Sequence, residues 1–86
     1  MKYKLSQHAL DEVQRRGISI ELVESVLEHP HQIVSEKVGR KAYQSKLDFG
    51  TGKTYLLRVI VDEDVEPAVV VTAYRTSKID KYWREP

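Results

Sequence analysis

The stretch TYLLRVIVD, residues 54–62, decides the fold class of this chain of 86 residues. Nearly every position is apolar, and several side chains are β-branched or aromatic, which is typical of a strand buried on both faces of a sheet. Arg58 is the only charged side chain before the terminal Asp62. The stretch therefore predicts a central β-strand that carries one cation in its middle.

Further strand patterns lie on both sides of this stretch. Residues 40–48 alternate in polarity, and residues 68–75 are β-branched and almost continuously apolar. Residues 32–36 form a shorter and weaker pattern, which a turn at Val38-Gly39 follows. Because a glycine-containing loop and an acidic turn separate the long strands, we expect neighbouring strands to run antiparallel.

Two helices are predicted before the strands, over residues 6–16 and 19–29. Ser6 and Ser19 stand directly before apolar residues at helical spacing, where a serine hydroxyl can accept a free backbone N–H. Gly17 suits the left-handed residue that ends the first helix. Each pattern therefore contains the residues expected at the ends of a helix.

These elements together predict one α+β domain over residues 1–86. We expect two N-terminal helices packed on one face of a three- to four-stranded antiparallel sheet. A short C-terminal helix is expected over residues 76–83, where Ser77 and Asp80 have the spacing of a capping box.

Composition limits the classes of function. The chain has no cysteine, which excludes a disulfide framework and a thiolate metal site. No apolar segment follows Met1 as in a signal peptide, and the apolar runs are too short for a bilayer, so we expect a cytoplasmic protein without membrane contact. The acids and histidines near Pro30 have no partner motif. We therefore predict no metal and no cofactor.

Charge is distributed unevenly although its sum is only +1. The half after residue 36 is basic outside the acidic turn at residues 62–67. Such a basic half can hold a phosphate backbone, or its cations can simply solvate exposed strand faces.

Sorting residues 68–75 by alternation assigns Val69, Val71 and Ala73 to the side covered by the helices. Val70, Thr72 and Tyr74 then face the open side. We expect Arg58 on the open side and exposed, since burying an unpaired guanidinium is costly. On this basis Arg58→Ala is expected to leave folding largely intact.

Lys46, Arg58 and Tyr74 would lie on neighbouring strands of that open face. Cleavage of RNA without a metal needs a base for the 2′-hydroxyl, cations for the phosphorane and an acid for the leaving oxygen. Arginine and lysine supply cations, and tyrosine or histidine can move protons. In the alternative interpretation Arg58 forms an ion pair with an acid on the next strand and Tyr74 is an amphipathic edge residue.

His8 is a second candidate for proton transfer. Helical spacing places His8, Glu12 and Arg15 on one flank of the first helix. The helix N-terminus disfavours imidazolium, so a neutral imidazole can act as a base. The alternative is a partly buried histidine that only packs or caps.

Three stretches carry a resemblance to a known family: LSQHA at residues 5–9, RRGIS at residues 15–19 and VLEHP at residues 26–30. YLLRV at residues 55–59 and VVTAYRTSK at residues 70–78 extend it almost to the C-terminus. The chain resembles the domain-of-unknown-function family 4258, which looks like a relative of the BrnT and RelE toxins. Those are small cytosolic ribonucleases neutralised by an antitoxin chain.

The resemblance implies helices on one face of an antiparallel sheet and RNA on the other. His8, Arg58 and Tyr74 match recurring polar positions of the family and are the implied catalytic residues. Lys46, Lys78 and Arg15 are added as substrate-binding residues on account of face and charge.

Three hypotheses of function remain at this point. The first is a metal-independent endoribonuclease toxin with RNA as its substrate and an antitoxin as its protein partner. The second is a non-catalytic module of the same fold that binds a protein or nucleic acid. The third is a structural protein that forms a homodimer through an exposed apolar strand edge.

Overall fold

The computed structural model describes residues 2–37 and 39–85. Within these residues, three helices and five strands follow one another. In order they are β1 Tyr3–Leu5, α1 Gln7–Arg15, α2 Ile20–Glu28, β2 Gln32–Ser35, β3 Arg40–Asp48, β4 Thr54–Asp62, β5 Ala68–Thr76 and α3 Ile79–Tyr82. The α+β class, the two N-terminal helices and the short C-terminal helix are confirmed. Val38 of the predicted Val38-Gly39 turn lies outside the described residues.

The strands form one five-stranded sheet in the order β1-β5-β4-β3-β2. Strands β2 to β5 pair antiparallel with their neighbours, and β4 is central as its apolar sequence predicts. Strand β1, by contrast, pairs parallel with β5. The expectation of a purely antiparallel sheet with three or four strands is therefore corrected to a mixed sheet with five.

Strand β1 escapes sequence analysis because it is only three residues long. Alternation needs more positions than that to be recognised. Tyr3 and Leu5 are half-buried, and Leu5 lies opposite Val70 of β5. The chain then turns directly into α1, and the Ser6 N–H donates to the Val70 carbonyl at 3.0 Å.

Both helix starts follow the predicted pattern. The Ser6 hydroxyl accepts from the Ala9 N–H at 3.0 Å, and the Ser19 hydroxyl accepts from the Leu22 N–H at 3.1 Å. Gly17 has a φ of 67°, which confirms the left-handed residue after α1.

The core lies between the helices and one face of the sheet. Its centre is formed by alternate residues of β4, namely Leu57, Val59 and Val61, each of which is fully buried. Residues of α1 and α2 such as Val13 and Val23 pack against them. The remaining residues of β4 therefore point away from these two helices.

A β-bulge alters the faces of β5. Ile60 pairs with Thr72 but Val61 pairs with Val70, so Val71 is an extra residue in the ladder. Val70 is consequently a fully buried core residue, and its predicted position on the open face is wrong. Simple alternation holds again beyond the bulge, where Ala73 is in the core.

Candidate functional site

Arg58 occupies the middle of β4 on the face opposite α1 and α2, which is the face expected for it. It is not exposed, however, because only 3% of its surface is accessible. The expectation of an exposed arginine fails because the guanidinium has partners that compensate for its burial.

Three polar side chains contact the guanidinium. Its Nε–H donates to Gln44 Oε1 at 2.8 Å, and Nη1 donates to the Tyr74 hydroxyl at 2.6 Å. Nη2 forms an ion pair with Glu36. We call Glu36, Gln44, Arg58 and Tyr74 the arginine network. The acid follows β2, two strands away from β4, rather than lying on the adjacent strand.

Tyr74 lies directly opposite Arg58 in the β4–β5 ladder. Burial raises the pKa of the Tyr74 phenol above its ordinary value, although the hydrogen bond and charge of Arg58 oppose this shift. The raised pKa makes the phenol a weaker acid, but the phenol is protonated at neutral pH, as an ordinary tyrosine is. Tyr74 can therefore donate a proton to a leaving group.

The end of the chain covers part of this network. We call residues 79–84 the C-terminal strap. The Tyr82 ring lies 4.2 Å from the Arg58 guanidinium carbon, and the Tyr82 carbonyl accepts from the Gln44 amide at 3.2 Å. Lys46 Nζ lies 3.9 Å from the centre of the Trp83 ring. These contacts explain how the face opposite α1 and α2 buries a charged side chain.

A shallow concavity of about 200 Å³ lies beside the network. It is lined by Glu36, Lys37, Arg40, Ile60, Thr72 and Tyr74. A second concavity of about 550 Å³ shares Glu36, Lys37 and Arg40 with the first and extends to Glu63 and Asp64. The Glu36 carboxylate thus stands at the junction of two surface depressions and next to two exposed cations.

The structure brings only some of the predicted site residues together. Lys46, Arg58 and Tyr74 share one face of the sheet, and Lys78 is exposed directly before α3. His8 belongs to α1, which packs on the opposite face, and its side chain is 68% exposed with its Nε2 atom 3.5 Å from Glu12.

Arg15 likewise lies on α1, where its side chain is 70% exposed and paired with Glu12. Neither His8 nor Arg15 has a contact with the arginine network among the contacts described. The flank that helical spacing predicts for His8, Glu12 and Arg15 does exist, but it forms a separate surface.

Sequence analysis missed Glu36. The face on which Glu36 lies follows from the two-residue period of β2, because Gln32, Val34 and Glu36 lie on the same face of the sheet as Gln44. The weak strand pattern of residues 32–36 concealed this alternation. Only the structure shows that the carboxylate reaches Arg58 across β3.

Two other findings concern the described residues as a whole. Within residues 2–37 and 39–85, no group of three or more histidine, aspartate and glutamate side chains is placed to hold a metal ion. Among the same residues, no helix has the length and apolar character needed to cross a membrane.

The geometry defines a small α+β domain with an arginine-centred polar network on the sheet face opposite its two long helices. Comparison with known proteins places it in a family. The sequence model described as domain of unknown function DUF4258 matches residues 5–75, and the chain belongs to that family. No curated protein and no solved structure was found to match the chain. The strap lies beyond the matched residues.

Proposed function

We propose that this protein is a metal-independent endoribonuclease that acts as the toxin of a toxin–antitoxin pair. The observation that supports the proposal is the convergence of Glu36, Arg58 and Tyr74 beside the 200 Å³ concavity. Cleavage of RNA through its 2′-hydroxyl needs a base, a cation and an acid, and a carboxylate, a guanidinium and a protonated phenol can fill these three roles.

In the proposed reaction Glu36 accepts the proton of the 2′-hydroxyl, whose oxygen then forms a bond to the adjacent phosphorus. Arg58 stabilises the additional negative charge of the phosphorane. The bond from phosphorus to the 5′-oxygen breaks, and Tyr74 gives its proton to that oxygen. The products are a 2′,3′-cyclic phosphate and a free 5′-hydroxyl, and the Tyr74 phenolate is stabilised by Arg58 until it regains a proton.

Glu36 takes the role of base that the sequence suggested for His8. The reason is geometrical, since Glu36 contacts Arg58 whereas His8 lies on a helix packed against the opposite face. Lys37 and Arg40 line the same concavity and are exposed, so they can hold the phosphates on either side of the scissile bond. Lys46 and Lys78 extend the proposed contacts with RNA along that face.

The resemblance to the BrnT and RelE toxins supports the remaining parts of the proposal. Such toxins are cytosolic, and each is neutralised by an antitoxin chain. We therefore propose a cytoplasmic protein with an antitoxin as its partner. Induced expression should arrest growth, and co-expression of a small protein encoded in the same operon should restore growth.

The direct test is the variant Glu36→Gln, assayed for cleavage of single-stranded RNA. The amide keeps the size of the side chain but cannot accept the proton, so we expect the rate to fall on the order of a hundredfold or more. Glu21→Gln is the matched control, because Glu21 is exposed on α2 and the chemical change is the same.

Wild-type cleavage should also persist in excess EDTA, and the product should carry a cyclic phosphate. Equal rates for Glu36→Gln and Glu21→Gln would contradict the role of Glu36. Loss of wild-type cleavage in EDTA that a divalent ion restores would contradict the metal-free mechanism.

A second candidate function is a non-catalytic module that binds a protein or nucleic acid. It is favoured by the burial of Arg58, whose partners Glu36, Gln44 and Tyr74 already stabilise its charge. Binding of RNA without cleavage would support this module. The homodimer hypothesis stays a prediction. Strand β2, at one edge of the sheet, carries the apolar side chain of Ile33 with 48% exposure.

A further inference from the structure

The C-terminal strap makes contacts that a nucleobase can also make. We propose that the sheet face beneath the strap is a binding site for an unstacked base of single-stranded RNA, which Tyr82 and the Arg84 backbone occupy until RNA displaces them. This inference rests on the proposed function in one respect, namely that RNA is the ligand of the arginine network. It adds a base-binding site and a conformational step to that function.

The first resemblance to a bound base is the stacking. Tyr82 places a flat aromatic ring 4.2 Å from the guanidinium carbon of Arg58. Unpaired RNA bases are commonly held in the same manner, stacked on aromatic rings or on the plane of an arginine. Nearby, the Trp83 ring lies against Lys46, at 3.9 Å from its Nζ. A base and its phosphate can replace both aromatic contacts.

The second resemblance is the pattern of hydrogen bonds. The Gln32 amide oxygen accepts from the Arg84 N–H at 3.1 Å, and the Gln32 amide nitrogen donates to the Arg84 carbonyl. One carboxamide therefore pairs with an adjacent donor and acceptor. Glutamine reads bases through this same two-point pairing, because base edges also present a donor beside an acceptor.

The strap is also suited to displacement. None of the described residues in the strap is fully buried, and α3 is only four residues long without a side-chain cap. Its contacts with the sheet at Gln32, Gln44, Lys46 and Arg58 are hydrogen bonds and cation–π contacts, which a nucleotide can replace one for one.

The position of this site fits a single RNA strand. Arg58 contacts Glu36 and Tyr74, which line the 200 Å³ concavity, and it also contacts Tyr82 of the strap. A strand with its scissile phosphate beside Glu36 and Tyr74 would thus bring a neighbouring base to the surface that Tyr82 now covers. Opening of the strap would then accompany binding and precede cleavage.

The experiment uses the full chain and an RNA oligonucleotide with 2′-O-methyl groups at every position, which binds but cannot be cleaved. Trp83 is the only tryptophan of the chain, so its fluorescence reports on the strap alone. We expect Trp83 emission to move to longer wavelength with the same midpoint as binding measured by anisotropy. Binding with unchanged Trp83 emission, or no binding at all, would overturn the inference.

A pair of variants tests the hydrogen bond. Arg84→Pro removes the backbone N–H that donates to Gln32, and Trp83 already has the extended conformation, with φ −73° and ψ 131°, that a following proline requires. Arg84→Ala loses the same charge but keeps the N–H. We expect Arg84→Pro to bind the oligonucleotide about fivefold more tightly than Arg84→Ala, the effect of about one lost hydrogen bond.

Equal affinities for the two variants would contradict the strap as a competitor of RNA. The outcome is independent of catalysis, because the oligonucleotide has no free 2′-hydroxyl. If unmodified RNA is bound with the fluorescence change but never cleaved, the proposed ribonuclease fails and the base-binding site stands. If RNA is cleaved while the strap stays in place, the base-binding site fails and the proposed ribonuclease stands.

Discussion

At the scale of single residues, Arg58 joins four separate parts of the chain. Gln44 comes from β3, Tyr74 from β5, Glu36 from the residue that follows β2 and Tyr82 from the strap. Such a network rigidifies a surface only while every member is paired. Removing its centre therefore affects folding as well as any chemistry.

The variant Arg58→Ala is expected to lower the free energy of unfolding by about 3 kcal/mol, because it leaves buried polar groups without their partner. This reverses the expectation from sequence that folding would be kept. Arg40→Ala is the control, since Arg40 is an exposed arginine at the start of β3 and should change stability by less than about 0.5 kcal/mol. Equal denaturant midpoints for the two variants would contradict a structural role for Arg58.

Tyr43 makes stability sensitive to alkali. Burial, together with the hydrogen bond to Glu63 at 2.5 Å, raises the pKa of Tyr43 to about 12. The folded protein thus keeps a proton that the unfolded chain releases near pH 10, so this contribution to stability is complete below pH 10 and is lost between pH 10 and about 12.

The melting temperature should therefore fall across that interval, and Tyr43→Phe should show a shallower fall from a lower starting value. Thermal melts at matched ionic strength measure both slopes. Parallel slopes for the two proteins would assign the alkaline effect to other groups.

Arg58 and Glu36 also show what sequence can predict about a site. A lone cation within an apolar strand identified Arg58 as a candidate, but the cost of burying an unpaired guanidinium led to the wrong expectation that it is exposed. Glu36 could not be identified as its partner, since 22 residues separate the two in sequence and β3 lies between their strands. Which residues meet across a sheet depends on the register of the strands, and the alternation of polar and apolar residues does not determine that register.

At the scale of secondary structure, the helices depend on their caps. Ser19 accepts from the Leu22 N–H at the start of α2, which would otherwise lack a partner within the helix. Ser19→Ala is expected to lower the free energy of unfolding by about 1 kcal/mol. For a domain of this size, that amounts to a decrease in melting temperature of about 4–8 °C.

Ser25→Ala provides the matched control, because Ser25 is exposed inside the same helix and alanine favours helix. The control should melt at or slightly above the wild-type temperature. A Ser19→Ala protein that melts with the control would show that the cap contributes nothing.

Local pattern predicted the helices and the four strands β2 to β5, because each is long enough to show its period or has strong end signals. The local sequence pattern did not predict strand β1 or the bulge at Val71. The three residues of β1 are ordered by pairing with β5 and by packing of Tyr3 and Leu5 against the core, and Val71 is identical in chemistry to its neighbours Val69 and Val70. A bulge within a run of valines therefore leaves no sequence signal.

At the scale of the whole molecule, a net charge of +1 gives no general attraction to RNA. Attraction must then come from local cations, of which four are exposed on or beside the proposed site, namely Lys37, Arg40, Lys46 and Lys78. If each of them contacts one phosphate, log K for binding a single-stranded oligonucleotide should change with log salt concentration with a slope of about −3.

Arg40→Ala should reduce the magnitude of that slope by about 0.7, the contribution of one contact with a single strand. Arg15→Ala, on helix α1 of the opposite face, should leave the slope unchanged. Anisotropy titrations at several KCl concentrations measure both. A wild-type slope beyond about −4 would require cations that the proposed site does not contain.

The pairing of β1 with β5 has a consequence for how the chain is made. Residues 3–5 find their partners only at residues 68–70, and Arg16 reaches the Ala73 carbonyl at 2.8 Å. On the ribosome, α1 and α2 therefore emerge long before the sheet that covers their apolar sides exists. Until the last long strand has been synthesised, the apolar faces of the two helices have no sheet to pack against. The nascent chain is therefore most exposed to aggregation during this stage of translation.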